Sequence, residues 1–180
     1  MPYTYLNDYK LTDVTPVTEP VTVAEAKLYC RVTNTIEDTL FAELITQSRE
    51  AIEKCTNLSL IPKTAIVYFN NEANNFELPF GPMDKTTFKL YDDNQNAKEI
   101  TAPYYKLIGL DYPKLFSPNY ANLRATYSTG FAVVPKELKI AMLDQINYGY
   151  ENRGMDVNDM GICEKTWRVC QRWTRTSPIL

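Results

Sequence analysis

Between Leu123 and Arg153 the chain switches once from a two-residue to a four-residue apolar rhythm, and Gly130 and Pro135 punctuate the switch. Few folds accommodate that stretch other than as strand, tight turn and helix. Leu123, Ala125 and Tyr127 point one way and Arg124, Thr126 and Ser128 the other, which is the alternation of a half-buried strand. Gly130 supplies a turn. Pro135 is expected at the first helical position, where its missing N–H leaves nothing unsatisfied. Leu138, Met142, Ile146 and Tyr150 then form an i, i+4 stripe, broadened by Ala141 and Leu143. Gly149 costs about 1 kcal/mol against Ala in a helix interior, so a close helix approach is expected there. Arg153-Gly154 reads as a stop, a cation followed by a residue tolerant of positive φ.

Upstream, residues 1–19 hold Thr, Pro, Asp and Tyr without periodicity and read as an extended N-terminal arm. Thr22-Val-Ala-Glu25 is a capping box and opens a short helix over 22–30. A second helix is expected over 36–56. Glu37 and Asp38 sit in its first turn, where the helix dipole favours acids. Ile36, Leu40, Phe41, Leu44, Ile45, Ala51 and Ile52 line one face. Asn57 can end it, and Pro62 forbids continuation. The following residues are β-rich: 64–69, 76–79, 86–91, 97–101, 105–110, 114–117 and 123–128. Asp92-Asp-Asn-Gln-Asn96 is a polar turn that makes a hairpin of its two neighbours. After a linker from Met155 to Gly161, a last helix is expected over Glu164 to about Thr174. The fold class is α+β: a small helical bundle with an antiparallel β insert (62–129) between the second and third main helices (36–56 and 135–153). The main domain spans 20–154, and 155–180 is a linker with a C-terminal docking helix and tail.

The chemistry the chain lacks narrows its function. It has no histidine, the usual general base and commonest metal ligand. It has no G-x-S-x-G and no phosphate-cradling glycine loop. Asp156 to Asp159 lacks the spaced ligands and glycine of a calcium loop. No catalytic, metal or cofactor site is expected. Cys30, Cys55, Cys163 and Cys170 show no C-x-x-C spacing and read as reduced, packed thiols. No run of 18 apolar residues is present, so no membrane span is expected, and the N-terminus lacks a signal-peptide pattern. Net charge is -3 with 13 Tyr, a composition that suits interfaces better than nucleic acid. Charge is uneven, however. From Gly161 onward four basic residues face one acidic residue, so this tail suits an acidic partner.

A series of short motifs runs through the chain in order: Pro20-Val-Thr-Val-Ala-Glu-Ala-Lys27, Arg31-Val32, Glu37-Asp38, Leu60-Ile-Pro-Lys-Thr64, Leu78-Pro-Phe-Gly-Pro82, Tyr127-Ser-Thr-Gly130, Val134-Pro-Lys-Glu-Leu-Lys139 and Tyr150-Glu-Asn-Arg153. Each alone is a cap, a turn or a helix end. Their joint order resembles the head-to-tail connector (adaptor) proteins of tailed bacteriophages, from about Pro20 to Arg153. Between Asp84 and Asn122 the match is one of pattern, and the two ends carry no matching motif. The resemblance implies a structural virion protein of the portal vertex, assembled in the host cytoplasm. It implies a closed ring of roughly twelve copies under the portal protein, with side-by-side heterologous contacts. Such a ring extends the DNA channel and presents a platform to the next connector or tail protein. DNA passes through it without specific binding.

Two sets of residues are candidate contacts. Trp167, Arg168, Arg172, Trp173 and Arg175 on the last helix are candidate anchors for docking on the portal. The bland alternative is a helix packed on its own domain with a solvated basic face. Asp92, Asp93 and Asn94 are a candidate hairpin tip touching a neighbour or the channel, although turn chemistry alone accounts for them. Two other functions stay open: another virion ring, such as a stopper or tail-completion protein, and a small nucleic-acid-binding protein of packaging, which Trp beside Arg brings to mind.

Overall fold

Alternating burial builds the larger of two sheets in the computed structural model, which describes residues 6–70, 75–93, 98–117, 122–154 and 161–174. Five strands form it: β1 (Leu6–Asp13), β2 (Lys63–Asn70), β4 (Met83–Asp92), β5 (Lys98–Ile100) and β8 (Asn122–Thr129), in the order β1-β2-β8-β4-β5. All its pairings are antiparallel. β3 (Asn75–Glu77), β7 (Lys114–Phe116) and β6 (Lys106–Ile108) make a second, three-stranded sheet in that order. With four helices among the described residues, the fold is α+β.

Register explains why one face of β8 is buried. Tyr127, Ala125 and Leu123 stand opposite Ala65, Val67 and Phe69 of β2, and all six side chains are buried. Leu78, Phe80, Met83, Phe88, Leu90, Ile100 and Leu115 complete this core. Full burial of one such aliphatic or aromatic side chain is worth about 1.5–3 kcal/mol, so this cluster dominates the β unit.

The motifs at 78–82 and 127–130 meet inside this unit. Tyr127 donates its hydroxyl to the Pro79 carbonyl at 2.6 Å, Thr129 Oγ1 donates to the Pro82 carbonyl at 2.9 Å, and the Gly130 amide donates to the same carbonyl at 2.9 Å. Gly130 has φ +124°, and a Cβ there would lie 2.2 Å from the Ile61 carbonyl oxygen, so only glycine fits.

The helices form a second unit. α1 (Val23–Tyr29) carries the expected capping box in full, with Thr22 and Glu25 bonding reciprocally. α2 (Asp38–Thr56) ends on Asn57 in the left-handed conformation, φ +56°. α3 (Lys136–Glu151) and α4 (Glu164–Trp173) complete the set. Phe41, Leu44, Ile45, Ile52, Leu138, Ala141, Met142 and Ile146 are among its buried apolar residues. Gly149 is buried, and a Cβ there would come within 3.0 Å of Leu44 Cδ2, which is the close approach expected of it.

The structure corrects several details of the sequence reading. Residues 6–13 of the expected arm are a strand, held along β2 from Leu6↔Phe69 to Asp13↔Lys63. By contact density, residues 6–17 belong with 61–132, and 18–60 belong with 133–174. Ile36 lies before α2 and is almost fully exposed, so it is no part of the apolar face. Pro135 is the N-cap of α3 rather than its first helical residue. Arg153 lies beyond α3, which is capped by Asn152, and its charge serves a side-chain contact instead of the helix end.

Candidate functional site

Among the described residues, no group of three or more Cys, Asp or Glu side chains is arranged to hold a metal ion.

Several motifs are fasteners within the helical unit. Glu37 accepts from the Tyr150 hydroxyl at 2.9 Å and from Arg153 Nη1 at 2.7 Å. The Arg153 guanidinium also lies 4.4 Å from the Tyr150 ring centroid, and that ring stacks on Phe41 at 4.9 Å. The Tyr150 hydrogen bond, then Arg153, holds the Glu37 carboxyl below the usual range, and the same bond raises the Tyr150 hydroxyl. Glu25 joins α1 to α3 by accepting from Lys139 Nζ at 2.7 Å. That bond, with the Thr22 amide, brings Glu25 down to about 2. Lys27 pairs with Asp38 at 2.5 Å, and Tyr29 donates to Asp144 at 2.8 Å. Sequence reasoning had both Glu37 and Tyr150-Glu-Asn-Arg153 in view but not their meeting. No local period links residues 113 apart.

A further fastener has no motif. Arg49 is 2% exposed, and its Nε donates to both carboxylate oxygens of Glu19 at 2.9 and 3.1 Å while Nη1 donates to Glu53 at 2.9 Å. Thr46 also donates to Glu19, and the other carboxylate oxygen of Glu53 accepts from the Leu60 amide at 2.7 Å. Burial of a cation is costly unless it is paired and hydrogen-bonded on several sides, as here.

The predicted docking residues separate on α4. Thr166 and Cys170 are fully buried, and Thr166 Oγ1 donates to the Ala141 carbonyl at 2.9 Å. Burial pushes the Cys170 thiol up to about 12, so it stays protonated and inert. Arg172 and Trp173 converge on one carboxylate: Arg172 Nη2 pairs with Glu137, and Trp173 Nε1 donates to it at 2.9 Å. Those two are engaged within the helical unit. Trp167 is 45% exposed, and exposed Arg168 pairs with Glu164, one turn back, at 2.5 Å. Arg175 lies outside the described residues.

The predicted hairpin tip is corrected in part. β4 and β5 pair as expected, but Asp92 sits in register with Lys98 and Leu123 and is only 7% exposed, so it is not a tip contact. Asp93 is exposed and lies 3.6 Å from Arg124 Nε. Asn94 lies outside the described residues.

Two further surfaces carry exposed apolar side chains that sequence periodicity assigned to no surface. In the helical unit, α1 and the start of α2 flank an open groove of about 510 Å³, lined by Val23, Ala24, Lys27, Leu28, Val32 and Asp38. In the β unit, Tyr104 ahead of β6, Ile108 at its end and Leu110 in the turn after it are exposed.

No protein-family model matches the chain. It is 32% identical over 91 residues to the LPS-assembly protein LptD of three Shewanella strains, ANA-3, MR-4 and MR-7. That stretch is 46% of this chain and 12% of each of those proteins, so the likeness is local to a small part of them. Whole-chain likeness lies elsewhere. A chain in the neck of an empty GTA particle, computed with C6 symmetry, superposes with a TM-score of 0.69 at 20% identity, over 95% of this chain and 97% of that one. A chain of the virion of a native gene transfer agent (GTA) particle gives 0.67 at 22% over 94% and 97%. One in the neck of the native GTA particle, computed with C12 symmetry, gives 0.66 at 20% over 95% and 97%. The chain has the fold of these gene transfer agent particle proteins, nearly end to end.

Proposed function

We propose that the protein is a structural, non-enzymatic component of the neck of a phage-like virion, a head-to-tail connector that forms a ring beneath the portal. The observation that carries this reading is the end-to-end likeness of fold, covering 95% of this chain and 97% of a chain in the GTA neck. The ordered motifs of connector proteins, from Pro20 to Arg153, support it independently. A ring of about twelve copies needs two unlike, self-repeating patches on each subunit. It continues the DNA channel without binding DNA specifically, so that DNA passes at ejection, and offers a platform to the next connector or tail protein. The exposed face of α4, with Trp167 and Arg168, is the portal-facing anchor. Such pairs of an aromatic and an arginine dominate many interfaces.

Native mass spectrometry of the chain, alone and mixed with the portal protein from the same genome, tests this. A gain of about twelve copies per portal is expected for a closed symmetric ring. Absence of any complex, with or without portal, overturns it. Salt-dependent retention on DNA instead favours the packaging alternative.

A further inference from the structure

The two ends of α4 are held in different ways. At its start the Cys163 amide donates to Gln145 at 2.9 Å, and Thr166 and Cys170 are fully buried. At its last turn the hold lies on the surface. Glu137, in the first turn of α3, accepts from Arg172 at one carboxylate oxygen and from the Trp173 indole at the other, 2.9 Å away. The Arg172 and Glu137 side chains are 64% and 44% exposed. An ion pair so open to water adds little stability and exchanges readily.

Glu137 also loses little on letting go. It lies at the positive end of the α3 dipole, which stabilises a carboxylate there without help from a side chain. Arg172 lies four residues beyond Arg168 and shares its side of the helix, so a carboxylate-bearing surface that engages Arg168 meets Arg172 next. Trp and Arg are the side chains that interfaces most often use as anchors. On the last turn of α4 both face an internal carboxylate.

We infer that Glu137 is an autoinhibitory latch: it occupies Arg172 and Trp173 in the free subunit and yields both to a carboxylate of the partner on which α4 docks. One carboxylate replaces another, so neither donor ends the exchange unpaired. This rests on the portal-facing reading of α4 above. It adds the chemistry of the partner, an acidic protein surface, and a residue that restrains docking.

Binding of the full chain to the portal protein from the same genome tests it, with Glu137→Gln, Arg172→Ala and the double variant. Glu137→Gln removes the charge and keeps the shape. It should tighten binding by up to about fivefold, the extent to which an exposed ion pair restrains a conformer. Arg172→Ala should weaken binding. Losing a negative charge that faces an acidic surface also tightens binding, and the double variant separates the two causes. The gain vanishes in the Arg172→Ala background if Glu137 acts as a latch, and persists if it acts by bare charge. A second readout needs no partner. In the free chain, hydrogen exchange at the amides of Arg172, Trp173 and Thr174 should quicken in Glu137→Gln, while those of Trp167 to Cys170 keep their protection. Unchanged exchange at the last turn, unchanged or weaker portal binding, or a gain that survives in the double variant shows that Glu137 is no latch, and the portal reading stands. If the unaltered chain does not bind portal at all, the docking reading falls and the latch falls with it.

Discussion

Arg49 and Glu19 meet through both carboxylate oxygens, at 2.9 and 3.1 Å from a single guanidinium nitrogen. This joins the segment ahead of α1 to the middle of α2, with Glu53 closing the other side. The pair is an internal fastener because Arg49 is the largest fully buried side chain of the protein's described residues.

Arg49→Ala leaves two carboxylates without their shared cation and opens a cavity. A loss of about 3–5 kcal/mol is expected, the range for breaking one partner of a buried pair. Urea denaturation reads it. A loss below 1 kcal/mol means that water or a neighbouring cation replaces the guanidinium.

Acid should loosen the helical unit through Glu25 and Glu37. Both carboxyls have folded values below their unfolded ones, Glu25 falling from 4.5 to about 2. Such groups add stability above the unfolded value and lose it as pH falls through the folded one. The unit should therefore weaken between about pH 4.5 and pH 2, the two Glu25 values. Glu25→Gln should flatten that slope in a thermal-melt series across the window. An unchanged slope excludes the Lys139 bond as its source.

Gly130→Ala should destabilise the β unit by more than about 3 kcal/mol, since backbone strain at positive φ adds to a clash with main chain that cannot turn aside. Gly149→Ala provides the contrast. Its added methyl meets only the tip of Leu44, and helix propensity favours the change by about 1 kcal/mol, so near-neutrality is expected. Chemical denaturation of both variants decides whether the two glycines differ in this way.

Deleting residues from Cys163 onward should destabilise the helical unit, because it removes the side chains of Thr166 and Cys170 from among their buried neighbours. Trp167→Ala and Arg168→Ala should leave the melting temperature within about 2 °C, as surface changes usually do. The same two substitutions should weaken portal binding by tenfold or more if they are anchors. A truncated chain with unchanged stability would falsify the assignment of α4 to the helical core.

Much of the fold was legible because its signals are local. The Thr22–Glu25 box, the Asn57 stop and the alternation along β8 all follow from neighbours a few residues apart, and Gly149 announced itself as a glycine inside a helical stripe. β1 was illegible for the opposite reason. Its sequence, Leu-Asn-Asp-Tyr-Lys-Leu-Thr-Asp, carries little β-branched content, and what holds it is a ladder of main-chain bonds to β2, whose partners lie fifty or more residues away. Asp92 shows the same limit, since two aspartates in a row read as an exposed turn until register buries one of them. The candidate surfaces split similarly. Trp167 and Arg168 stood out by residue type, whereas Leu28 and Leu110 looked like any other leucine until their exposure was known. The motifs themselves turned out to be pairs of fasteners: 78–82 with 127–130, Glu37 with Tyr150 and Arg153, Glu25 with Lys139. A chain can keep its motifs and still meet different partners.

The Gly130 turn has a kinetic consequence as well. It brings the two ends of the β unit, at Ile61 and Gly130, into main-chain contact. Closing a flexible loop of nearly seventy residues costs about 4 kcal/mol of chain entropy. Helical contacts such as Glu25 to Lys139, 114 residues apart, face that cost as long as the intervening chain is unfolded. Once the sheet has formed, the loop is already closed, and the chain between α2 and α3 is reduced to the links 57–60 and 131–135 on either side of it. The β unit should therefore fold ahead of the four helices and set the rate at which they find one another.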